Sequence, residues 1–482
     1  MLDSLIEERK KKLERIKERG LNPYPARVER DFSISEAIKD FSKLSLEEKK
    51  VALIGRVKSI RDQGGVIFAD LGDESGTIQL VLKKDLLPDI DFWRENLDRG
   101  DFVSASGKLF ETKRGEKSLE VSVFKMAVKS LRPTPSEFYG LQDAELRLRE
   151  RYVDLLVNPE IREIFKKKSL FWKTVRDFMN QHEFLEVETP VLEAVPGGAE
   201  AEPFVTKHNA LQTEFYLRIS LEISLKKLLV GGFDKVFEIG RIFRNEGIDA
   251  EHLQDYTQME FYWAYADYKK VMEYVMEMYK FVIEKTIGSL VMERNGEKIN
   301  WEGEWPTVDY YEVFKENAGL DLKYATEEEL ASKAKELGIE IGKQHSRGRL
   351  IDLIFKKTAR PRLIQPCFLM DPPVDIEPLA KRKEGEPDKV ERFQIIACGT
   401  ELGKGFSEAN DPSDERERFE EQMGLRQKGD VEAQMLDEDF LNALEYGMPP
   451  TGGFGMSERL FAVLMNKPVR ETVFFPLLKR KG

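Results

Sequence analysis

Between Val236 and Tyr268 the chain reads VFEIGRIFRNEGIDAEHLQDYTQMEFYWAYADY. It opens as a strand, V-F-E-I. It then carries Arg241, Arg244, Asn245, Glu246 and Gly247, a polar loop with His252, and an aromatic-rich strand from Thr257 to Tyr265. Two strands joined by a long loop, with arginine at the end of the first, make a cradle for an anion. A planar guanidinium grips a phosphate or carboxylate through two parallel hydrogen bonds. Glu260 and Tyr262 lie two apart on the returning strand and so share a face. The competing reading is a surface hairpin whose charges are merely solvated. A second arginine, Arg459, follows the glycines Gly452, Gly453 and Gly455 in GMPPTGGFGMSERLFAVLMNKPVRETVFFP. These glycines allow close backbone approach, although alone they would indicate only a turn.

Several chemistries have no residues to carry them. There are four histidines (His182, His208, His252, His345) and no nucleophile elbow, so no Ser/His/Asp or Cys/His set is evident. No G-x-x-x-x-G-K-[ST] is present to hold phosphates. Two cysteines, Cys367 and Cys398, exclude a disulfide framework and a four-cysteine zinc site and favour a reducing compartment. The net charge of -12 confines any nucleic-acid site to a local basic patch. The start, MLDSLIEERKKKLE, lacks an apolar signal segment, and no apolar run is long enough to span a membrane, so the cytoplasm is expected.

The elements that must position these residues follow from periodicity. The 482 residues imply two or three domains. Residues 2–19 read as an amphipathic helix whose basic face is either solvated or in contact with RNA. It belongs to a helical extension over 1–48. From 51 to 125 the period changes to two, with strands at Val51–Val57, Val66–Leu71, Thr77–Leu82, Phe102–Phe110 and Leu119–Phe124. A helical stretch, Asp89–Leu97, precedes the fourth. This suggests an OB barrel over 49–130, a fold that binds single-stranded nucleic acid by stacking bases on aromatic side chains. Residues 131–157, opening with the stiff Leu131-Arg-Pro-Thr-Pro135, are expected as a linker. Asn158-Pro159-Glu160 then starts a helix, with Asn158 as its cap. Helices are also expected from Asp267 to Ile287 and from Thr326 to Leu337, the latter in an insertion around 320–360.

F-R-N-E-G followed by T-Q-M-E-F-Y resembles motif 2 of the class II aminoacyl-tRNA synthetases. The long helix and Phe184-Leu-Glu-Val-Glu-Thr-Pro190 resemble motif 1, and the C-terminal glycine stretch resembles motif 3. LRLRERYVDLLVNPEIREIF is similar to the lysine-specific branch of subclass IIb, and the likeness runs from about 20 to 480. It implies an α+β fold: an N-terminal OB-fold anticodon-binding barrel before a class II catalytic domain (158–482), an antiparallel sheet flanked by helices. It further implies ATP, L-lysine and tRNA(Lys) as partners, Mg2+ as cofactor, and a homodimer formed through motif 1.

Residue by residue, the resemblance assigns Arg244 to bridge the α-phosphate and the substrate carboxylate, and Arg459 to lie against adenine and the γ-phosphate. Tyr256 and Glu401 join the nucleotide site, and Glu246 and His252 would contact the nucleotide or the RNA end. Glu222, Glu260 and Gly198 would meet the α-ammonium of lysine, and Glu408 and Tyr262 its ε-ammonium, since a buried ammonium needs a carboxylate and further acceptors. Glu401 and Glu408 are candidate metal ligands, with Gln394 standing where the family usually has a metal-binding Glu. In the barrel, Phe68 would stack on an anticodon base while Arg61, Gln79 and Glu120 read base edges. The chain departs from the pattern also at Leu253 and Lys404, where Asn is usual, and at Ser457-Glu458, where Ile-Asp is usual. Residues 391–397 and 400–408 read as a hairpin turning at Cys398-Gly399. Gln394 would oppose Gly403 and share a metal position with Glu401, and regular alternation would put Lys404 on the face of Glu408 unless a bulge intervened. Lys404 is expected to pair with an acid or reach the phosphates. An inactive RNA-binding paralogue, a class IIb enzyme for Asp or Asn, and an enzyme that lysylates a protein are the rival readings.

Overall fold

The computed structural model describes residues 2–135, 143–247, 252–340, 346–377, 379–427 and 433–479. The chain divides into two units, 1–142 and 143–482.

In the first unit, the strands Lys50–Asp62, Val66–Gly72, Thr77–Lys83, Phe102–Glu111 and Lys117–Val128 close into a barrel. The first pairs with the fourth, and the third runs parallel to the fifth. Alternate residues such as Ile67, Ala69, Leu71, Leu80 and Val121 fill it. The helix Ile90–Asn96 lays Trp93 into the same core, with the indole N–H donating to Asp89 (3.0 Å). Two short helices, Ile34–Lys39 and Phe41–Leu46, add Ile34, Ala37, Phe41 and Leu44 to that core. The helix Leu2–Glu18 buries Leu13 and Ile16. Its basic face is partly consumed internally. The buried Arg9 donates to the carbonyls of Arg99 (2.9 Å), Ser130 (3.1 Å) and Arg132 (3.3 Å), and Lys12 pairs with Asp98 (2.7 Å).

The second unit is built on an eight-stranded sheet. From one edge its strands are Thr307–Asp309, Cys367–Met370, Arg392–Ala397, Thr400–Ser407, Thr451–Ser457, Asp255–Ala264, Lys235–Phe243 and Leu185–Glu186. Pairing is antiparallel except at both edges, where the outermost strand runs parallel to its neighbour. The helices Pro159–Gln181 and Tyr268–Ile287 cover one face through Phe171, Val175, Phe178, Val271, Val275 and Val282, packed on Phe237, Met259 and Phe261. Strand alternation sends Glu260 and Tyr262 to the opposite face, and that face carries the pocket.

Some local expectations are corrected. Asn158 does not cap its helix; its amide donates to Asp154 Oδ1 instead (2.6 Å), and Asp154 is buried against Arg151 (2.7 Å). The stretch expected as a linker is helical over Ala144–Arg149 and Arg151–Val157, with 136–142 outside the described residues. The region around 320–360 holds the helices Glu327–Glu336 and Arg347–Thr358, packed in one core with the sheet residues Cys367, Leu369 and Ile396, and 341–345 lie outside the described residues. The hairpin turns at Cys398-Gly399, both with positive φ (56° and 68°), as a two-residue primed turn requires. A bulge then shifts the register: Ile396 opposes Glu401, but Ile395 opposes Gly403, so Gln394 faces Lys404 and not Gly403.

Candidate active site

A cleft of about 510 Å3 opens on the sheet face away from the two long helices. Every residue that the sequence assigned to substrate, nucleotide or metal lines it, although these residues come from five separate stretches of chain.

The motif 2-like hairpin supplies the arginine end. Strand pairing holds Lys235–Phe243 against Asp255–Ala264 in unbroken register, and Arg241 locks the mouth by donating to Asp255 (2.8 Å) and Thr257 (3.1 Å). Arg244 stands just beyond. Its Nε donates to the Ile219 carbonyl (3.2 Å), and its guanidinium lies 5.8 Å from the Tyr256 ring centroid. A buried pair, Arg218 and Glu238 (2.7 Å), ties this hairpin to Thr189 at the end of the motif 1-like segment. Glu246 and His252 line the cleft at the hairpin tip, and 248–251 lie outside the described residues. Leu253, where Asn was the usual residue, is buried against Ala462 and Val469. Glu458 is buried and bound to Lys168 on the long helix, so it braces Arg459 from behind.

The opposite end is acidic. Glu260 is saturated by the protein. It accepts from Ser220 Oγ (2.7 Å), the Leu221 N–H (3.0 Å), Gln258 (2.7 Å) and Tyr262 OH (3.0 Å). Burial and the neighbouring carboxylates hold the Tyr262 phenol protonated. Glu222 and Glu408 are buried and share the ammonium of Lys226, at 2.5 Å each. Burial pushes the Glu222 carboxyl up to about 7, against the pull of Lys226. Burial raises Glu408 as well, again against the pull of Lys226. Glycines make room here. A Cβ at Gly198 would sit 2.8 Å from Glu222 Cβ, at φ +81°, and one at Gly453 would overlap Glu408 Oε1.

Between the two ends lies a mixed cluster. Gln394 Nε2 donates to Glu401 Oε2 (2.9 Å), so those two do share a face. Lys404 pairs with the buried Glu377 (2.8 Å), which Arg392 also approaches (3.4 Å). Burial would raise Glu377 and Glu401. The cations Lys404 and Arg392, with Arg459 at Glu401, outweigh it and hold both carboxyls below the usual range. Among the described residues, no group of three or more His, Cys, Asp or Glu is arranged to hold a metal. Glu408, the second metal candidate from the sequence, pairs with Lys226, and the amide of Gln394 donates to Glu401.

In the barrel, Arg61, Phe68, Val81 and Glu120 oppose one another across four strands and so form one row, in which Val81 is buried. The Arg61 side chain is exposed, 3.5 Å from Asp70, and Glu120 is bound to Lys83 (2.6 Å). Gln79 is buried, donating to Glu116 (3.2 Å) and accepting from Ser118 (3.2 Å), so it is less available than the sequence implied.

Sequence reasoning missed Lys226, Glu377 and Arg392. Lys226 stood one helical turn after Glu222, a legible i,i+4 pair. Nothing local marked the other two.

Residues 143–479 match the family of class II tRNA synthetases (D, K and N), and residues 51–127 match the OB-fold nucleic acid binding domain. The lysine–tRNA ligase of Moorella thermoacetica is 44% identical over 483 residues, covering 99% of this chain and 98% of that protein. Those of Pelotomaculum thermopropionicum and Roseiflexus castenholzii are each 42% identical over 484 residues, covering 99% of this chain and 95% and 99% of the relatives. With its OB barrel, its motif hairpin and a match over the whole catalytic unit, the chain belongs to the class II tRNA synthetases of the D, K and N group.

Proposed function

We propose that this chain is a lysine–tRNA ligase. It joins the carboxylate of L-lysine to the α-phosphate of ATP, releasing pyrophosphate, and then transfers the lysyl group to the 3′ end of tRNA(Lys), releasing AMP. The observation that carries this reading is a single cleft with arginine at one end and paired buried carboxylates at the other. Two anions must meet in the first step, so the transition state needs cations fixed where charge develops. Arg244, tethered at Nε and lying beside Tyr256, holds the attacking carboxylate and the α-phosphate together. Arg459 steadies the nucleotide from the motif 3-like side. Glu222 and Glu408 take the two ammonium groups of lysine, with Gly198 giving the α-carbon room to approach. The saturated Glu260 acts through Tyr262 and Ser220, which it orients.

Mg2+ bound with ATP supplies charge neutralisation at the phosphates. It commonly takes one or two carboxylates plus substrate phosphates, not a full protein cage. Glu401 fits that role, being ionised and on the cleft wall. The barrel row of Arg61, Phe68 and Glu120 is the surface for the anticodon. Leu170, Leu185, Val191 and Leu192, exposed around the motif 1-like segment, support a homodimer through that face. Charging tRNA places the protein in the cytoplasm, and among the described residues no helix is long and apolar enough to cross a membrane. An aspartate enzyme would need cations facing the substrate side chain, where this cleft has acids.

ATP–pyrophosphate exchange with each of the twenty amino acids tests the proposal. Exchange with lysine alone is expected; exchange with none, or with aspartate or asparagine, overturns it.

A further inference from the structure

The acidic end of the cleft already contains an ammonium. Lys226 is fully buried and sits in one helical turn with Glu222, yet it also reaches Glu408, just past the strand Thr400–Ser407, and both carboxylates are 2.5 Å from it. The rings of Phe406 and Phe440 flank it at 5.6 and 5.9 Å. This is a second-best arrangement if stability alone is the purpose, because burying three ionic groups costs more than packing apolar side chains of the same size. It is useful if the two carboxylates must be held apart and ionised. Each has one oxygen on Lys226. The Oε1 of Glu408 lies over Gly453, is shielded from solvent, and has no hydrogen-bond donor.

We propose that Lys226 is a specificity-determining positioning residue that spaces Glu222 and Glu408 so that each presents one oxygen to an ammonium group of a diamino acid. The inference rests on the assignment of this cleft end to lysine. With substrate bound, opposite charges would alternate from one contact to the next around an arc: α-ammonium, Glu222, Lys226, Glu408, ε-ammonium. Lys226 touches neither reacting atom. It sets the distance between the two carboxylates, and hence the length of the carbon chain that fits, and it lowers the cost of keeping both ionised.

Other charged groups face the triad and are part of its balance. Glu415 lies beside Lys226 from the helix Pro412–Gln427, with Arg418 one turn further on. Glu260 and Tyr262 face Glu222 and Glu408 from the sheet, and Glu377 and Lys404 from the central cluster. Burial works against the charge of Lys226, but Glu222, Glu408 and Glu415 outweigh it and keep it protonated. The removal of Lys226 therefore leaves two buried carboxylates facing each other, and one of them takes up a proton that lysine must expel on binding.

Isothermal titration of lysine and of ATP, in buffers of different ionisation enthalpy at pH 8, tests this. Lys226→Met should keep ATP affinity, weaken lysine by about tenfold or more, and release close to one proton per lysine bound where the wild type releases much less. Lys226→Arg keeps the charge with a larger planar head. Its proton release should match the wild type, while its preference for lysine over the shorter homologue ornithine should fall. If Lys226→Met does not fold, the arginine variant alone decides. Unchanged lysine affinity and proton release in a folded Lys226→Met variant, or an unchanged lysine-to-ornithine ratio in Lys226→Arg, overturns the inference. Glu408→Gln separates this from a failure of the lysine assignment. If it too leaves lysine affinity unchanged, the pocket was misassigned; if it alone weakens lysine, only the role of Lys226 falls.

Discussion

Replacing Arg244 by alanine is expected to abolish adenylate formation in a protein that remains folded. The guanidinium makes one hydrogen bond within the described part of the protein, from Nε to the Ile219 carbonyl at 3.2 Å, and lies 5.8 Å from the Tyr256 ring centroid. Losing that bond costs the fold about 1–3 kcal/mol, a tolerable fraction of the roughly 5–15 kcal/mol that keeps a domain folded. The reaction loses more. A preorganised donor aimed at developing charge is worth about 3–4 kcal/mol, or roughly two to three orders of magnitude in rate. Arg244→Lys is the informative companion. It restores a point charge but not the planar fork that spans a carboxylate and a phosphate, so it should recover only a small part of the loss. The assay is ATP–pyrophosphate exchange with lysine, beside thermal unfolding of each variant. Exchange within a few-fold of wild type in Arg244→Ala would refute the reading of the hairpin as the catalytic anion cradle. Loss of exchange together with collapse of the melting transition would reassign Arg244 to folding.

Glu408→Gln should weaken lysine by several kcal/mol, since a neutral amide leaves a buried ammonium without its counter-charge, and should leave ATP titrations nearly unchanged; equal weakening of both ligands would contradict this. Lysine affinity should rise with pH between 6 and 8. Burial lifts the Glu222 carboxyl to about 7, so below that pH it is protonated and cannot accept an ammonium, and above it the carboxylate is present. A flat pH profile in calorimetric titration would rule this out. Phe68→Ala should slow tRNA charging while sparing exchange without tRNA, because a lost base stack is worth about 1–3 kcal/mol; equal losses in both assays would make Phe68 core packing. Finally, Lys404, paired with Glu377, and Gln394, bound to Glu401, bring fixed cationic and neutral groups to the middle of the cleft. The Gln394→Glu, Lys404→Asn double variant should require more magnesium in exchange and bind more Mn2+ per ATP by electron paramagnetic resonance; superimposable curves would dismiss the idea.

Much of this protein is decided locally. A period of two with glycine turns was enough to mark all five barrel strands. Each observed strand extends the expected one at one or both ends, because pairing continues past the apolar stripe into residues such as Lys117 and Asp62. The motif-like stretches likewise named the arginines and acids of the hairpin and of the C-terminal glycine stretch that line the cleft, since each motif keeps its chemistry within a few positions on one strand or turn. What the sequence left undetermined depends on which faces meet. Glu408 and Lys226 lie far apart in the chain and bond only because the helix Glu222–Val230 packs against the end of the strand Thr400–Ser407. Glu377 comes from a short 3-10 turn with no pattern of its own, and only tertiary packing sets it beside Lys404 and Arg392. The bulge near Leu402 moved Lys404 onto the face of Gln394, a choice that alternation alone cannot make because one inserted residue reverses every face beyond it. Gln79 and Glu458 were legible as polar residues in the right places; their burial against Glu116 and Lys168 was not, because burial is a property of the packed neighbours and not of the residue itself.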